Sequence, residues 1–160
     1  MCGHALDEAG HTDASHFPKS RPVEAERIAT ERAVGYCATT GATTYVVHLS
    51  SAAALDACRK ARARGLPVHV ETRPIYLHLN ESRFNEPDGA KYAGAPPLRT
   101  DADRDALWAG LNDGTVSTVC TDHAPWTLDE KLDPTLTASD LRHGMAELET
   151  LMPVLWSEGV

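Results

Sequence analysis

The sequence has no excess of basic residues, no long apolar run and no closely spaced cysteine pair, and each absence argues against a class of protein. Its 160 residues include 15 Lys and Arg against 23 Asp and Glu, which gives a formal charge of −8. Nucleic-acid and anionic-membrane partners favour clustered cations, so neither is expected. No apolar run approaches the roughly 18 residues that a membrane helix needs, and no signal peptide is visible. We therefore expect a cytoplasmic protein.

The four cysteines show no CxxC spacing. Cys37 and Cys58 fall on predicted helices, and Cys120 falls inside a predicted strand. This distribution indicates reduced, buried thiols rather than a disulfide framework.

Strand-like and helix-like segments alternate along the chain. The predicted order is α-β-α-β-(loop)-α-β-(loop)-α, which is typical of parallel βαβ units. A helix is predicted with Ser20 as its cap, another with Thr100 and Asp103 as a capping box, and a last one from Ser139 with a bend or end at Pro153. Three strands are few for a free-standing parallel sheet, so the chain is expected to be part of a larger fold.

Each strand-like run ends in groups that bind metals or carry protons. "TTYVVHLSS" runs into His48, "LPVHVETRP" delivers Glu71 and Arg73, and "TVCTDHAPW" places Asp122 beside His123. In parallel α/β folds the carboxyl ends of the strands converge, so these side chains can share one site.

An imidazole and a carboxylate at such a position suit Zn²⁺, which lowers the pKa of bound water to about 7. A neighbouring carboxylate could accept the proton of that water and pass it to a leaving nitrogen. Position alone leaves alternatives open. A histidine at a strand end is often simply hydrogen-bonded, and an Asp-His pair can cap a helix or form a turn.

Six ordered motifs together resemble the cyclic amidohydrolases, the group that contains dihydropyrimidinase, hydantoinase, allantoinase and dihydroorotase. The resemblance covers nearly all the chain from about residue 10 and is strongest for the dihydropyrimidinase/hydantoinase branch. The motifs are "SRPVEAE", "YVVHLSS", "VETRPIYLHL", "AKYAGAPPLR", "DALWAGLNDGTVSTVCTDHAPW" and "GMAELETLMPVLWSEGV".

The resemblance implies an α/β fold, a (βα)8 TIM barrel of the metal-dependent amidohydrolase type with one or two metal ions, usually zinc. This chain would form a partial barrel, about strands 6 to 8 with their helices, as a C-terminal half-barrel fragment. Residues 1–160 would be a single partial domain, in which 1–20 form a helix and loop after the missing fifth strand.

The resemblance also implies roles for individual residues. His48 matches the metal-binding histidine of the sixth strand, and Asp122 matches the metal-binding aspartate of the eighth, which also serves as the catalytic general base. His123 would orient or hydrogen-bond groups near the site. Glu71 matches an acidic residue of an "ETCP"-like motif and is expected to be structural, with Arg73 paired to it or to a loop carboxylate.

The departures from the family pattern concern ligands and substrate contacts. The His-x-His pair of the first strand and the carboxylated lysine of the fourth strand have no counterpart here. Ala95 stands where the dihydropyrimidinase motif has Ser, and Ala146 where many hydantoinases have Asn. Both would bind substrate through backbone groups only. His4 aligns with the helix and loop after the fifth strand and is not expected to be a ligand.

The predicted function of the parent enzyme is metal-dependent hydrolysis of a cyclic amide or ureide C–N bond, of dihydropyrimidine or hydantoin type. A complete site would hold one or two Zn²⁺ ions and a small cyclic amide, in a homo-oligomer. The chain alone should be inactive, because catalytic zinc normally takes three protein ligands. The alternatives are an allantoinase- or dihydroorotase-like enzyme and a non-catalytic half-barrel that acts as a structural or binding module.

Overall fold

The computed structural model describes residues 2–159, in which helices and strands alternate as predicted. Three short 3-10 helices, at Ala14–His16, Glu81–Asn85 and Gly89–Tyr92, lie in the connecting segments. The strands are β1 (Thr44–Val46), β2 (Val68–Thr72) and β3 (Thr118–Val119). The α-helices are α1 (Cys2–Glu8), α2 (Phe17–Ser20), α3 (Val23–Thr40), α4 (Ala52–Ala63), α5 (Pro74–His78), α6 (Asp101–Asn112), α7 (Leu128–Lys131) and α8 (Leu151–Glu158).

The three strands form one parallel sheet in the order β1-β2-β3. Thr44 of β1 is in register with Val68 of β2, and Glu71 of β2 with Thr118 of β3. Helix α4 connects the first pair and α6 the second. All three carboxyl ends therefore lie at one edge of the sheet, as the alternating pattern predicts.

The core lies between the sheet and the helices α3, α4 and α6. Helix α4 buries Leu55, Cys58 and Ala61, which lie three or six residues apart and so share one helix face. Burying a leucine of this kind contributes about 1.5–3 kcal/mol. Gly110 of α6 allows close packing, because a Cβ there would lie 2.8 Å from the Leu55 side chain.

The helix-start predictions are confirmed at one position and wrong at another. Thr100 and Asp103 form the predicted capping box at the start of α6. Ser20 does not cap α3; Pro22 is the N-cap residue, and the Ser20 hydroxyl donates to the carbonyl of Phe17. Proline suits this place because it needs no amide partner.

The prediction of a helix from Ser139 is wrong. Residues 139–140 and 148–150 form turns, residues 141–147 are irregular apart from a bridge at Met145, and α8 begins only at Leu151, with Pro153 in its first turn. Gly144 explains the difference, because it has φ 131° and a Cβ there would lie 2.3 Å from the carbonyl oxygen of Ala124. The segment packs against that strand-end loop instead of coiling.

The cysteines behave largely as predicted. All four thiols are free; Cys37 and Cys58 are buried, Cys120 is partly buried just after β3, and Cys2 is exposed. Over residues 2–159, no helix combines the length and apolar character needed to cross a bilayer.

Candidate functional site

The candidate site lies at the carboxyl edge of the sheet. His48 follows β1 by two residues, Glu71 is within β2, and Asp122 follows β3 by three residues. His48 and Asp122 therefore lie on opposite sides of β2 at the same end of the sheet, the position predicted from the strand-end pattern.

His48 and Asp122 share an uncommon backbone conformation. Their φ angles are 39° and 45°, and within residues 2–159 they are the two non-glycine residues with positive φ. Such conformations cost on the order of 1–3 kcal/mol each and cluster at functional sites. Each of the two strands is thus followed by a strained backbone position at the candidate residue, a feature that sequence patterns do not reveal.

The Glu71 carboxylate links β2 to β1 at the carboxyl edge of the sheet. Its Oε1 accepts from the His48 amide at 3.1 Å, and its Oε2 accepts from the Tyr45 hydroxyl at 2.7 Å. Burial would raise the pKa of Glu71, but hydrogen bonds from the Cys120 thiol, Tyr45 and the His48 amide outweigh it and hold the pKa below its ordinary value. These contacts support the interpretation of Glu71 as a structural residue.

Arg73 pairs with two loop carboxylates and not with Glu71. Its side chain is 1% exposed, and its Nη1 lies 3.1 Å from Oδ2 of Asp122. Its Nη2 donates to Oε1 of Glu147, whose Oε2 accepts from the Ile75 amide at 3.1 Å. The loop-carboxylate alternative for Arg73 is confirmed. The sequence analysis missed Glu147, which follows β2 by more than 70 residues and has no local signal.

His123 contacts the segment before α8. Its Nδ1 accepts from the amides of Glu147 at 3.2 Å and Leu148 at 3.1 Å. The backbone of His123 also forms a parallel bridge with Met145. Because Nδ1 is an acceptor, the neutral ring carries its proton on Nε2. His123 thus holds the 145–148 segment beside Asp122.

Lys131, which the sequence analysis also missed, is a buried ammonium bound by backbone carbonyls. Its Nζ donates to the carbonyls of Ala93 at 2.5 Å, Arg142 at 2.8 Å and Gly144 at 2.9 Å. Burial, together with the charge of Arg73, lowers the pKa of Lys131 to about 8. The lysine joins the loop after the third 3-10 helix to the segment before α8.

The two alanines predicted to contact substrate lie on these two joined segments. Ala95 is exposed and lines a cleft of about 750 Å³ together with His48. Ala146 is exposed next to Glu147, on the segment that His123 and Lys131 hold. The structure therefore brings His48 and Ala95 to one cleft. It links Asp122, through Arg73, and His123, directly, to Glu147, the neighbour of Ala146.

The donor chemistry of the site suits zinc, but the donor set is incomplete. Imidazole nitrogen and carboxylate oxygen are both zinc ligands, and His48 and Asp122 provide one of each. Within residues 2–159, no three His, Cys, Asp or Glu side chains are placed to hold a metal ion together. Catalytic zinc normally takes three protein ligands, so further ligands would have to come from outside the described residues.

His143 lies between Arg142 and Gly144, the two residues of this segment whose carbonyls bind Lys131, and its ring is held in the neutral form. Its ring centre lies 5.4 Å from that of Phe17, and its buried Nε2 has no hydrogen-bond partner among residues 2–159. Burial, with the charges of Arg21 and Lys131, lowers the pKa of His143 to about 4.

Acidification should destabilise the fold through His143. A histidine with a depressed pKa contributes stability above its unfolded pKa of about 6.5, and that stability is lost as pH falls to about 4. Allowing for partial exposure, we expect a loss on the order of 1–3 kcal/mol in the free energy of unfolding. Urea unfolding between pH 7.5 and 4 measures it. His143→Gln should flatten this dependence, whereas the exposed His4→Gln should not; equal slopes in both variants would contradict the assignment.

Comparisons with known proteins identify sequences and structures that are similar to this chain. No family model matches the chain. The chain is 38% identical over 156 residues to D-phenylhydantoinases of Escherichia coli, including those of O1:K1 / APEC and strain K12, an alignment that covers 95% of this chain and 33% of the relative.

Solved structures give the same result. The chain superimposes on a D-hydantoinase (dihydropyrimidinase) from Thermus sp. with a TM-score of 0.94 and 33% identity. It superimposes on a dihydropyrimidinase from Brevibacillus agri with a TM-score of 0.93 and 37% identity. Each match covers 99% of this chain and 35% of the other. In sequence and in fold, the chain thus corresponds to about one third of a hydantoinase or dihydropyrimidinase, which confirms the resemblance to the cyclic amidohydrolases.

Proposed function

We propose that the chain provides part of the active site of a cyclic amidohydrolase, as the last three strands of a partial (βα)8 barrel formed by residues 1–160. The observation that carries this proposal is the shared position and backbone conformation of His48 and Asp122. Both lie at the carboxyl edge of a parallel sheet. Both also have a positive φ, which within residues 2–159 is otherwise found at glycine. The similarity to hydantoinases supports the same assignment.

In this proposal His48 and Asp122 hold zinc together with ligands that the described residues do not supply. A bound zinc ion supplies Lewis-acid chemistry and lowers the pKa of water. Asp122 accepts the proton of the attacking nucleophile and returns it to the leaving ring nitrogen. Its side chain is 45% exposed, and Arg73 engages only Oδ2, which leaves Oδ1 available.

The proposed substrate is a ring amide of hydantoin or dihydropyrimidine type. Its N–H and C=O groups can pair with backbone groups, and Ala95 and Ala146 offer backbone groups without a competing polar side chain. The relatives named as hydantoinases favour this class over an allantoinase- or dihydroorotase-like substrate.

A chimera tests the proposal. The matching third of an E. coli D-phenylhydantoinase is replaced with this chain, and zinc content and hydrolysis of a phenylhydantoin and a dihydropyrimidine are measured. The chimera should bind zinc and open the ring, whereas the chain alone should not. His48→Ala should lower the zinc content and the rate, and His4→Ala, in exposed α1, should change neither.

The same experiment separates the enzyme from a non-catalytic module. The incomplete donor set within residues 2–159 is expected under both hypotheses, because the chain spans about one third of its relatives. A well-folded chimera without zinc or turnover would support the module and reject the catalytic assignment. Full zinc content and activity in the His48→Ala chimera would reject His48 as a ligand.

A further inference from the structure

A closed ring of contacts joins four residues: Arg73, Glu147, His123 and Asp122. Arg73 forms an ion pair with Asp122 through Nη1 and donates a hydrogen bond to Glu147 from Nη2. The Glu147 amide donates to Nδ1 of His123, and His123 is bonded in sequence to Asp122. The ring joins the end of β2, the loop after β3 and the segment before α8.

Arg73 itself is out of reach of any substrate. Its guanidinium carbon lies 5.4 Å from the centre of the Tyr76 ring, and a Cβ on Gly94 would lie 3.7 Å from its Nη1. Its buried Nε has no hydrogen-bond partner in the described part of the chain. The two carboxylates are therefore the groups that offset a buried positive charge, which is costly unless paired.

We propose that Arg73 is a positioning residue that fixes the Asp122 carboxylate relative to the segment before α8, which carries Ala146. The importance of this coupling for catalysis rests on the proposed function, which assigns Asp122 and Ala146 to the reaction. The coupling of Asp122 to the segment before α8 through Arg73 does not depend on that assignment.

The planar fork of arginine is what allows this coupling. Its two Nη groups point at different carboxylates at once, one half-exposed and one buried. A lysine ammonium is a single point charge on a flexible stem and would pair with one carboxylate at a time. Arg73→Lys therefore keeps the charge and removes the link.

Amide hydrogen exchange on the full chain tests the link without metal or turnover. In the chain with Arg73, Asp122→Asn should speed exchange of the Ile75 amide, which donates to Glu147, at least fivefold. In an Arg73→Lys background the same substitution should change that rate less than twofold. The Leu55 amide, which donates to Ser51 within the α4 core, reports global opening and should keep its rate in both backgrounds.

Two outcomes would overturn the proposal. One is an Ile75 rate that Asp122→Asn leaves within twofold in the chain with Arg73. The other is an equal acceleration in the Arg73→Lys background, which would mean that the coupling runs through the backbone of His123. Failure of the hydantoinase chimera would leave this result intact, so the two proposals fail separately.

Discussion

Asp122→Asn is expected to lower kcat of the hydantoinase chimera by about 10²–10⁴-fold, the usual contribution of a general base. Asparagine keeps the size of the side chain and leaves Arg73 paired with Glu147, but it is neutral and cannot take up a proton under reaction conditions. Because Asp122 contacts the protein through Arg73 and is otherwise half-exposed, the fold should survive the change. Steady-state hydrolysis of a phenylhydantoin measures the effect.

The zinc content of the same variant separates its two proposed roles. Loss of both zinc and turnover assigns Asp122 mainly to metal binding, and loss of turnover with retained zinc assigns it to proton transfer. Asp140→Asn, at an exposed position in the segment before α8, serves as the matched control and should keep both. Undiminished kcat in Asp122→Asn would show that another group is the base.

Local features of the sequence predicted the framework of the site well. The alternation of β-branched runs with capped helices gave the parallel order, and the capping box at Thr100 and Asp103 is present as predicted. The order of a βαβ chain then places His48 and Asp122 at one edge, because parallel strands share the direction of their ends. Each of these steps depends on neighbours within a few residues.

The features that sequence analysis missed all depend on distant contacts. Arg73 and Glu147 are 74 residues apart, and Lys131 reaches the Ala93 carbonyl across 38 residues. The segment around Gly144 has helical composition, yet it is not helical because its backbone groups have tertiary partners. The Gly144 amide donates to the Ala93 carbonyl, the Gly144 carbonyl accepts from Lys131, and the Met145 carbonyl accepts from the Ala124 amide. Tertiary hydrogen bonds outweigh local propensity at such places, which are also the places where the site is assembled.

Glu147→Ala is expected to lower the free energy of unfolding by about 3–5 kcal/mol, the usual result of removing one partner of a buried ion pair. The Glu147 side chain is 4% exposed, and its loss would leave Arg73 buried with Asp122 as its remaining carboxylate. The Ile75 amide would also lose its acceptor. Urea unfolding measures the change, and the exposed Glu149→Ala should stay within about 0.5 kcal/mol of the parent chain.

A double variant identifies the cause of that loss. If the stranded charge of Arg73 is responsible, Arg73→Met combined with Glu147→Leu should recover much of the stability, because well-packed apolar residues often replace a buried ion pair at little cost. If the double variant is as unstable as Glu147→Ala, the loss comes from packing and the Ile75 amide instead.

A loss below about 1 kcal/mol in Glu147→Ala would mean that water reaches the guanidinium and that the pair is not buried in solution. Recovery in the double variant, together with the loss of coupling between Asp122 and the Ile75 amide in Arg73→Lys, would show that Arg73 contributes position rather than stability.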